Sequence, residues 1–236
     1  MSPTGQPEAA QASEASSEAP AAARRPRWGV LALVALVGFG MLRQGLSDEA
    51  DGPPQPGAAT SLFPGDLPPD GPPPPPLPRS APSRVVIPSL AVSAPVLPLG
   101  LDKDGWIEAP PADDPRLAGW YEDAPSPGER GTAVLVGHVD SLNGPAVFYG
   151  LGALEKGRTI RVTRKDGRTA VFEVYGVQVF DKRNFPARKV YADTGRPELR
   201  VLTCGGTYSP GSGYEGNVVV FARMTTGPAE PGQGLR

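Results

Sequence analysis

Residues 159–180 read TIRVTRKDGRTAVFEVYGVQVF. Apolar and polar residues alternate on both sides of Asp166-Gly167. Ile160 and Val162 before the pair, and Ala170, Phe172 and Val174 after it, fall on one face at period two. That is the pattern of strands with one buried face, and Asp-Gly is a preferred pair for a two-residue type I′ turn. The stretch therefore predicts a β-hairpin. Working outward, GTAVLVGHV (131–139) is a near-continuous apolar run, suited to a strand in a buried position. ELRVLTC (198–204) and GNVVVFARM (216–224) predict two more strands. RVVIPSLAVSAPVLPLG (84–100) predicts two extended runs, with Pro88 and Pro95 at edges or bends. PAVFYGLGALEKG (145–157) holds a short helical turn, and no repeat is present. The class this implies is all-β, a closed or sandwich-like barrel of seven or eight strands.

The ends of the chain differ from this block. The 31 prolines and 30 glycines among 236 residues are unevenly spread, which divides the chain. Residues 1–23 are rich in Ala, Ser, Glu and Pro without apolar period, so a disordered tail is expected. Residues 24–46 read RRPRWGVLALVALVGFGMLRQGL. The uncharged part, Trp28 to Leu42, gives about 22 Å of helix, and counting to Leu46 with Arg43 snorkelling gives about 28 Å. That approaches the roughly 30 Å of a bilayer core and predicts a transmembrane signal anchor. Arg24, Arg25 and Arg27 would keep the N-terminus cytoplasmic. A cleaved signal peptide is the competing reading, and either one exports the rest of the chain. Residues 47–83, with five consecutive prolines, predict a polyproline II extracellular linker. Residues 226–236 again read as a disordered tail. The folded domain is expected over residues 84–225.

The chemistry rests on two residues. Cys204 is the only cysteine and His138 the only histidine. One of each argues against a structural zinc site, and no metal or cofactor is expected. The net charge of −2 offers nucleic acid nothing to bind. His138 and Cys204 each end a predicted strand, where a barrel rim forms clefts. Gly205-Gly206 after the thiol would let backbone come close and expose N–H donors. A thiol with adjacent donors suits a covalent nucleophile. The plainer reading of Cys204 is a small buried hydrophobe, and of His138 a hydrogen-bonded polar residue.

The surrounding motifs sharpen the choice. GHVDS around His138, LTCGG around Cys204, GWYEDAPSPGERG upstream, DKRNFP between them and GNVVVFA after them resemble the sortase family, and most nearly the class F sortases of actinobacteria. The resemblance covers about residues 85–224. It implies an eight-stranded barrel and a membrane-anchored, extracellular cysteine transpeptidase. Such an enzyme takes secreted proteins with an LPxTG-like C-terminal sorting signal. It joins them to an amine acceptor of a peptidoglycan precursor. Cys204 would attack the scissile carbonyl and form a thioacyl intermediate. His138 would protonate the leaving amine and deprotonate the incoming one. The resemblance also implies an arginine near the start of the last strand, to stabilise the oxyanion or position the peptide. YEGNVVVFA has none. Asn217 ranks first as the substitute, because a side-chain amide donates hydrogen bonds, and Arg183 or Arg188 in DKRNFPAR ranks next. Asn217 as a mere turn residue is the competing reading. Arg223 and Arg200 sit about 20 and 13 Å along their strands from the site. Trp120 and Tyr121 suggest a peptide groove or core, and Asp140 a surface carboxylate.

Two other functions compete with this one. An L,D-transpeptidase would carry an SHGC-like motif, which is absent, and many wall peptidases place Cys before His. A non-catalytic stalked barrel that binds wall or protein ligands would keep His138 and Cys204 apart.

Overall fold

The computed structural model describes residues 52–61 and 73–225. The expected N-terminal tail, the apolar segment 24–46 and residues 226–236 lie outside them. Among the described residues no helix is long and apolar enough to cross a membrane.

The described residues form ten strands: β1 (Pro82–Ile87), β2 (Val92–Leu99), β3 (Ala118–Tyr121), β4 (Gly131–Gly137), β5 (Asp140–Ser141), β6 (Gly144–Pro145), β7 (Thr159–Arg164), β8 (Thr169–Asp181), β9 (Pro197–Ser209) and β10 (Gly213–Met224). One short helix, α1 (Ala187–Tyr191), precedes β9. Eight strands close a barrel in the order β1-β2-β3-β4-β9-β10-β8-β7, while β5 and β6 pair separately. The predicted helical turn is a 3-10 turn at Tyr149–Ala153. The sequence pattern announces no strand at Ala118–Tyr121. β3 is only four residues long, yet it bridges β2, which it meets in parallel, to β4, which it meets antiparallel.

The hairpin at 159–180 forms as predicted, but its turn is of another kind. Gly167 is at φ 80, and among the non-glycine residues described only Ala91 has positive φ, so Asp166 cannot supply the left-handed first position of a type I′ turn. Instead the Gly167 N–H donates to the Arg164 carbonyl at 3.1 Å and the Arg164 N–H to the Arg168 carbonyl at 2.9 Å. This is a three-residue loop, a type I turn closed by a left-handed glycine. Arg164 explains the longer loop. Its side chain is fully buried, reaches the Pro78 and Pro127 carbonyls and pairs with Asp166 at 3.1 Å.

Alternation decides which side chains fill the barrel. Ile160, Val162, Ala170, Phe172 and Val174 face inward with Val201, Val218 and Val220. Burying each such side chain contributes about 1.5–3 kcal/mol. β4, β9 and β10 bury their outer faces too. Val134, Leu202, Val219 and Phe221 pack against Val190 of α1, and against Tyr175, Phe180 and Phe185. Two buried faces require apolar residues at every position, hence the continuous runs AVLV and VVVFA.

Part of the proline-rich stretch packs on the barrel. Leu77 lies against the core, and its N–H donates to the Gly128 carbonyl at 2.8 Å. The Arg79 guanidinium lies 5.4 Å from the Trp120 ring centroid. Further upstream, the Pro54 carbonyl presses on Gly152 so closely that a Cβ there would sit 1.9 Å from it. The Gln55 side-chain oxygen accepts the Gly206 N–H at 3.1 Å.

Candidate active site

β4 and β9 are parallel neighbours, in register from Gly131↔Pro197 to Val136↔Leu202. His138 and Cys204 each lie two residues past that last pair, so adjacent strands carry imidazole and thiol to the same level. Both line one cleft of about 310 Å³. Both are half-buried, reachable by a ligand yet shielded from bulk water. Cys204 follows Leu202 at period two. It therefore shares the outer face of the wall, where Leu202 packs against Val134 and Val219.

On the other side of β9, Cys204 is directly opposite Asn217 of β10. Opposed residues of an antiparallel pair have Cβ atoms about 4.5–5.5 Å apart on one face. Asn217 lines the cleft, whereas Arg183 and Arg188 do not. Arg183 is turned to its neighbour Asp181, with Nη2 3.1 Å from the carboxylate and its backbone N–H donating at 2.7 Å. The guanidinium beside Asp181 holds that carboxyl below the usual range. Arg188 is exposed on α1. The cation that does line the cleft is Lys182.

The flanking glycines serve packing and turning. A Cβ on Gly205 would meet the Val218 Cγ2 at 2.5 Å, so Gly205 is required by the closeness of β10. Gly206 is at φ 80, a left-handed position. It sits where β9 and β10 slip register between Tyr214 and Gly216.

The remaining wall was not evident from the sequence. Trp106 to Pro110, in the β2–β3 connection, form one side, and Tyr191 of α1 closes another part. Trp106 is 58% exposed, a large apolar surface held toward solvent. Asp102 Oδ1 accepts the Trp106 and Asp104 N–H groups, both at 2.9 Å, and so shapes that loop. The signal in the sequence was a lone tryptophan in the polar stretch DKDGWIEAPP. Thr203 also lines the cleft, and its hydroxyl oxygen is buried without a partner. His138 Nε2 donates to the Pro110 carbonyl at 2.7 Å.

Trp120 is core, 4% exposed, with its indole N–H donating to the Pro125 carbonyl at 3.2 Å. Tyr121 packs in the outer cluster. Asp140 is exposed and accepts the Tyr214 hydroxyl at 2.6 Å. Arg223 pairs with Glu173 at 2.7 Å, and Arg200 is buried beside Glu198.

The expected strand end at Cys204 is not one, because β9 runs on to Ser209, but the closed barrel still brings Cys204 within β9 level with His138 just past β4, and residues 85–225 match the family model described as the sortase domain. The chain belongs to the sortase family. Its barrel resembles several solved sortases. Sortase A from Corynebacterium diphtheriae is 18% identical at a TM-score of 0.48, with 65% of each chain covered, so this chain spans just under two thirds of that protein. Sortase C-1 from Actinomyces oris is 24% identical at a TM-score of 0.47, covering 60% of this chain and 70% of that one. Sortase C of Streptococcus pneumoniae is 20% identical at a TM-score of 0.49, covering 63% and 67%. No curated protein matches the sequence significantly.

Proposed function

We propose that this sortase is a membrane-anchored cysteine transpeptidase of the class F type. It cleaves an LPxTG-like sorting signal on secreted proteins and transfers the new carboxyl end to an amine of a peptidoglycan precursor. The observation that carries this reading is the single cleft shared by Cys204, His138 and Asn217. The Cys204 thiolate attacks the scissile carbonyl, and the scissile C–N bond breaks to leave a thioacyl enzyme. His138 gives its proton to the departing amine and later takes one from the incoming amine. Splitting the reaction through a covalent intermediate lowers each barrier and lets an amine compete with water.

Asn217 is the side-chain donor nearest in register to the thiol, and its amide serves the oxyanion. Trp106 and Tyr191 give the signal peptide apolar surface. Residues 24–46 act as the anchor, with the barrel outside the cell.

The test is incubation with a library of LPxTG-type peptides and amine acceptors, followed by mass spectrometry of the acyl-enzyme and ligated product. Wild type should show both. Cys204→Ala should show neither, while its thermal unfolding stays near wild type. Full cleavage by Cys204→Ala would overturn the reading.

A further inference from the structure

A catalytic imidazole needs a third group to fix which nitrogen carries the proton. No carboxylate or side-chain amide is hydrogen-bonded to His138 among the described residues. Its ring partner is the backbone carbonyl of Pro110, 2.7 Å from Nε2. A carbonyl only accepts, so Nε2 must keep its hydrogen in the neutral ring as well as in the imidazolium. Nδ1 is then the nitrogen that exchanges a proton.

The carbonyl is itself held by covalent geometry. Residue 110 is a proline, which locks its φ near −65°. Residue 111 is also a proline, which bars residue 110 from the helical region and pushes ψ to about +120 to +160°. Both dihedrals that aim the Pro110 carbonyl are restricted by the chain. Pro110 is buried while Pro111 is exposed. The carbonyl is therefore preset before substrate arrives, as an orienting group must be.

Resting on the transpeptidase reading, we infer that the Pro110-Pro111 dipeptide is the orienting member of the catalytic group, a positioning element that fixes His138 as the Nε2–H tautomer and leaves Nδ1 to move the proton. In acylation the Cys204 thiol gives its proton to the bare Nδ1, the C–S bond forms, the scissile C–N bond breaks, and that proton passes from Nδ1 to the departing nitrogen. In transfer the incoming amine forms the new C–N bond, the C–S bond breaks back to thiolate, and the amine proton passes to Nδ1. Nε2–H donates to Pro110 throughout. The same loop offers Trp106 to Ala109 as cleft wall. A peptide seated there presses on the backbone that aims the base, so binding and base orientation are coupled.

The lone histidine makes the test unambiguous. The full chain labelled with ¹⁵N-histidine yields one imidazole, whose two nitrogen shifts report the tautomer without any turnover. The expected result, in the neutral ring, is a protonated-type Nε2 and a bare Nδ1. Pro111→Gly frees ψ of residue 110 at an exposed position, leaving the carbonyl in place. It should give a tautomer mixture and lower kcat by roughly 3- to 10-fold, the worth of one hydrogen bond, with KM within about twofold. Pro111→Ala should fall between it and wild type. An Nδ1–H tautomer in wild type, or a Pro111→Gly enzyme whose tautomer is unchanged, would overturn the inference. A chain without transferase activity that still shows the Nε2–H tautomer would refute the function while upholding the orientation.

Discussion

The two halves of β9 carry buried polar groups in opposite states. In the first half, Arg200 is enclosed and every side of its guanidinium is used. It donates to the Val190 carbonyl at 3.0 Å and the Leu199 carbonyl at 3.2 Å, pairs with Glu198 at 2.6 Å, and lies 4.6 Å from the Phe221 ring centroid. Glu198 also accepts the Tyr175 hydroxyl at 2.8 Å, and burial pushes that phenol well above its ordinary pKa, so it stays a donor. Three residues further along, the Thr203 hydroxyl is buried with no partner, and at the next position Cys204 faces a cleft. β10 flanks both halves, whereas β4 pairs with β9 only as far as Leu202. A buried polar group with all partners present fixes the structure, whereas Cys204 opens onto a cleft that a ligand can enter.

Five substitutions break that contrast from either side. His138→Ala should lower transfer by about 10²- to 10⁴-fold, as loss of a general acid–base does, with the denaturant midpoint unmoved. Glu198→Ala should do the reverse. Leaving Arg200 buried without its carboxylate should cost about 3–5 kcal/mol in urea unfolding, while kcat measured where the protein is still folded stays within a few-fold. Asn217→Ala should slow turnover by tens to hundreds of fold if its amide holds the oxyanion, a range near that of other such donors. An unchanged rate would move the role to Lys182, the cation that lines the cleft. Arg183→Ala and Arg188→Ala, both off the cleft, should alter kcat/KM by less than about twofold and stability by less than about 0.5 kcal/mol, as surface changes do.

Much of this was legible in the sequence because strands write their burial at period two. The 159–180 hairpin, the buried run of β4, the strand of β10, and the lone thiol and lone imidazole that share a cleft were all readable. What escaped is set by distance in the chain. The Asp166-Gly167 turn took another form because Arg164 is bound by Pro78 and Pro127, which no local pattern announces. Gly205 looked like room for a peptide, yet Val218 on another strand demands it. The linker looked unattached because proline-rich composition does not reveal that Leu77 joins the core or that Gln55 meets Gly206. The loop from Trp106 to Pro110 has no period at all, and only the fold brings its carbonyl to His138.

The parallel pairing of β4 with β9 also has a consequence for when the site exists. From 138 to 204 is 66 positions, and β7, β8 and α1 lie between. Bringing such distant strands together means closing a long loop before any contact offsets its entropy, which places the pairing late in folding. Thiol and imidazole therefore meet only once the barrel wall is complete. A half-folded chain carries a cysteine but no catalyst, so reactivity arrives together with the closed structure that shields it.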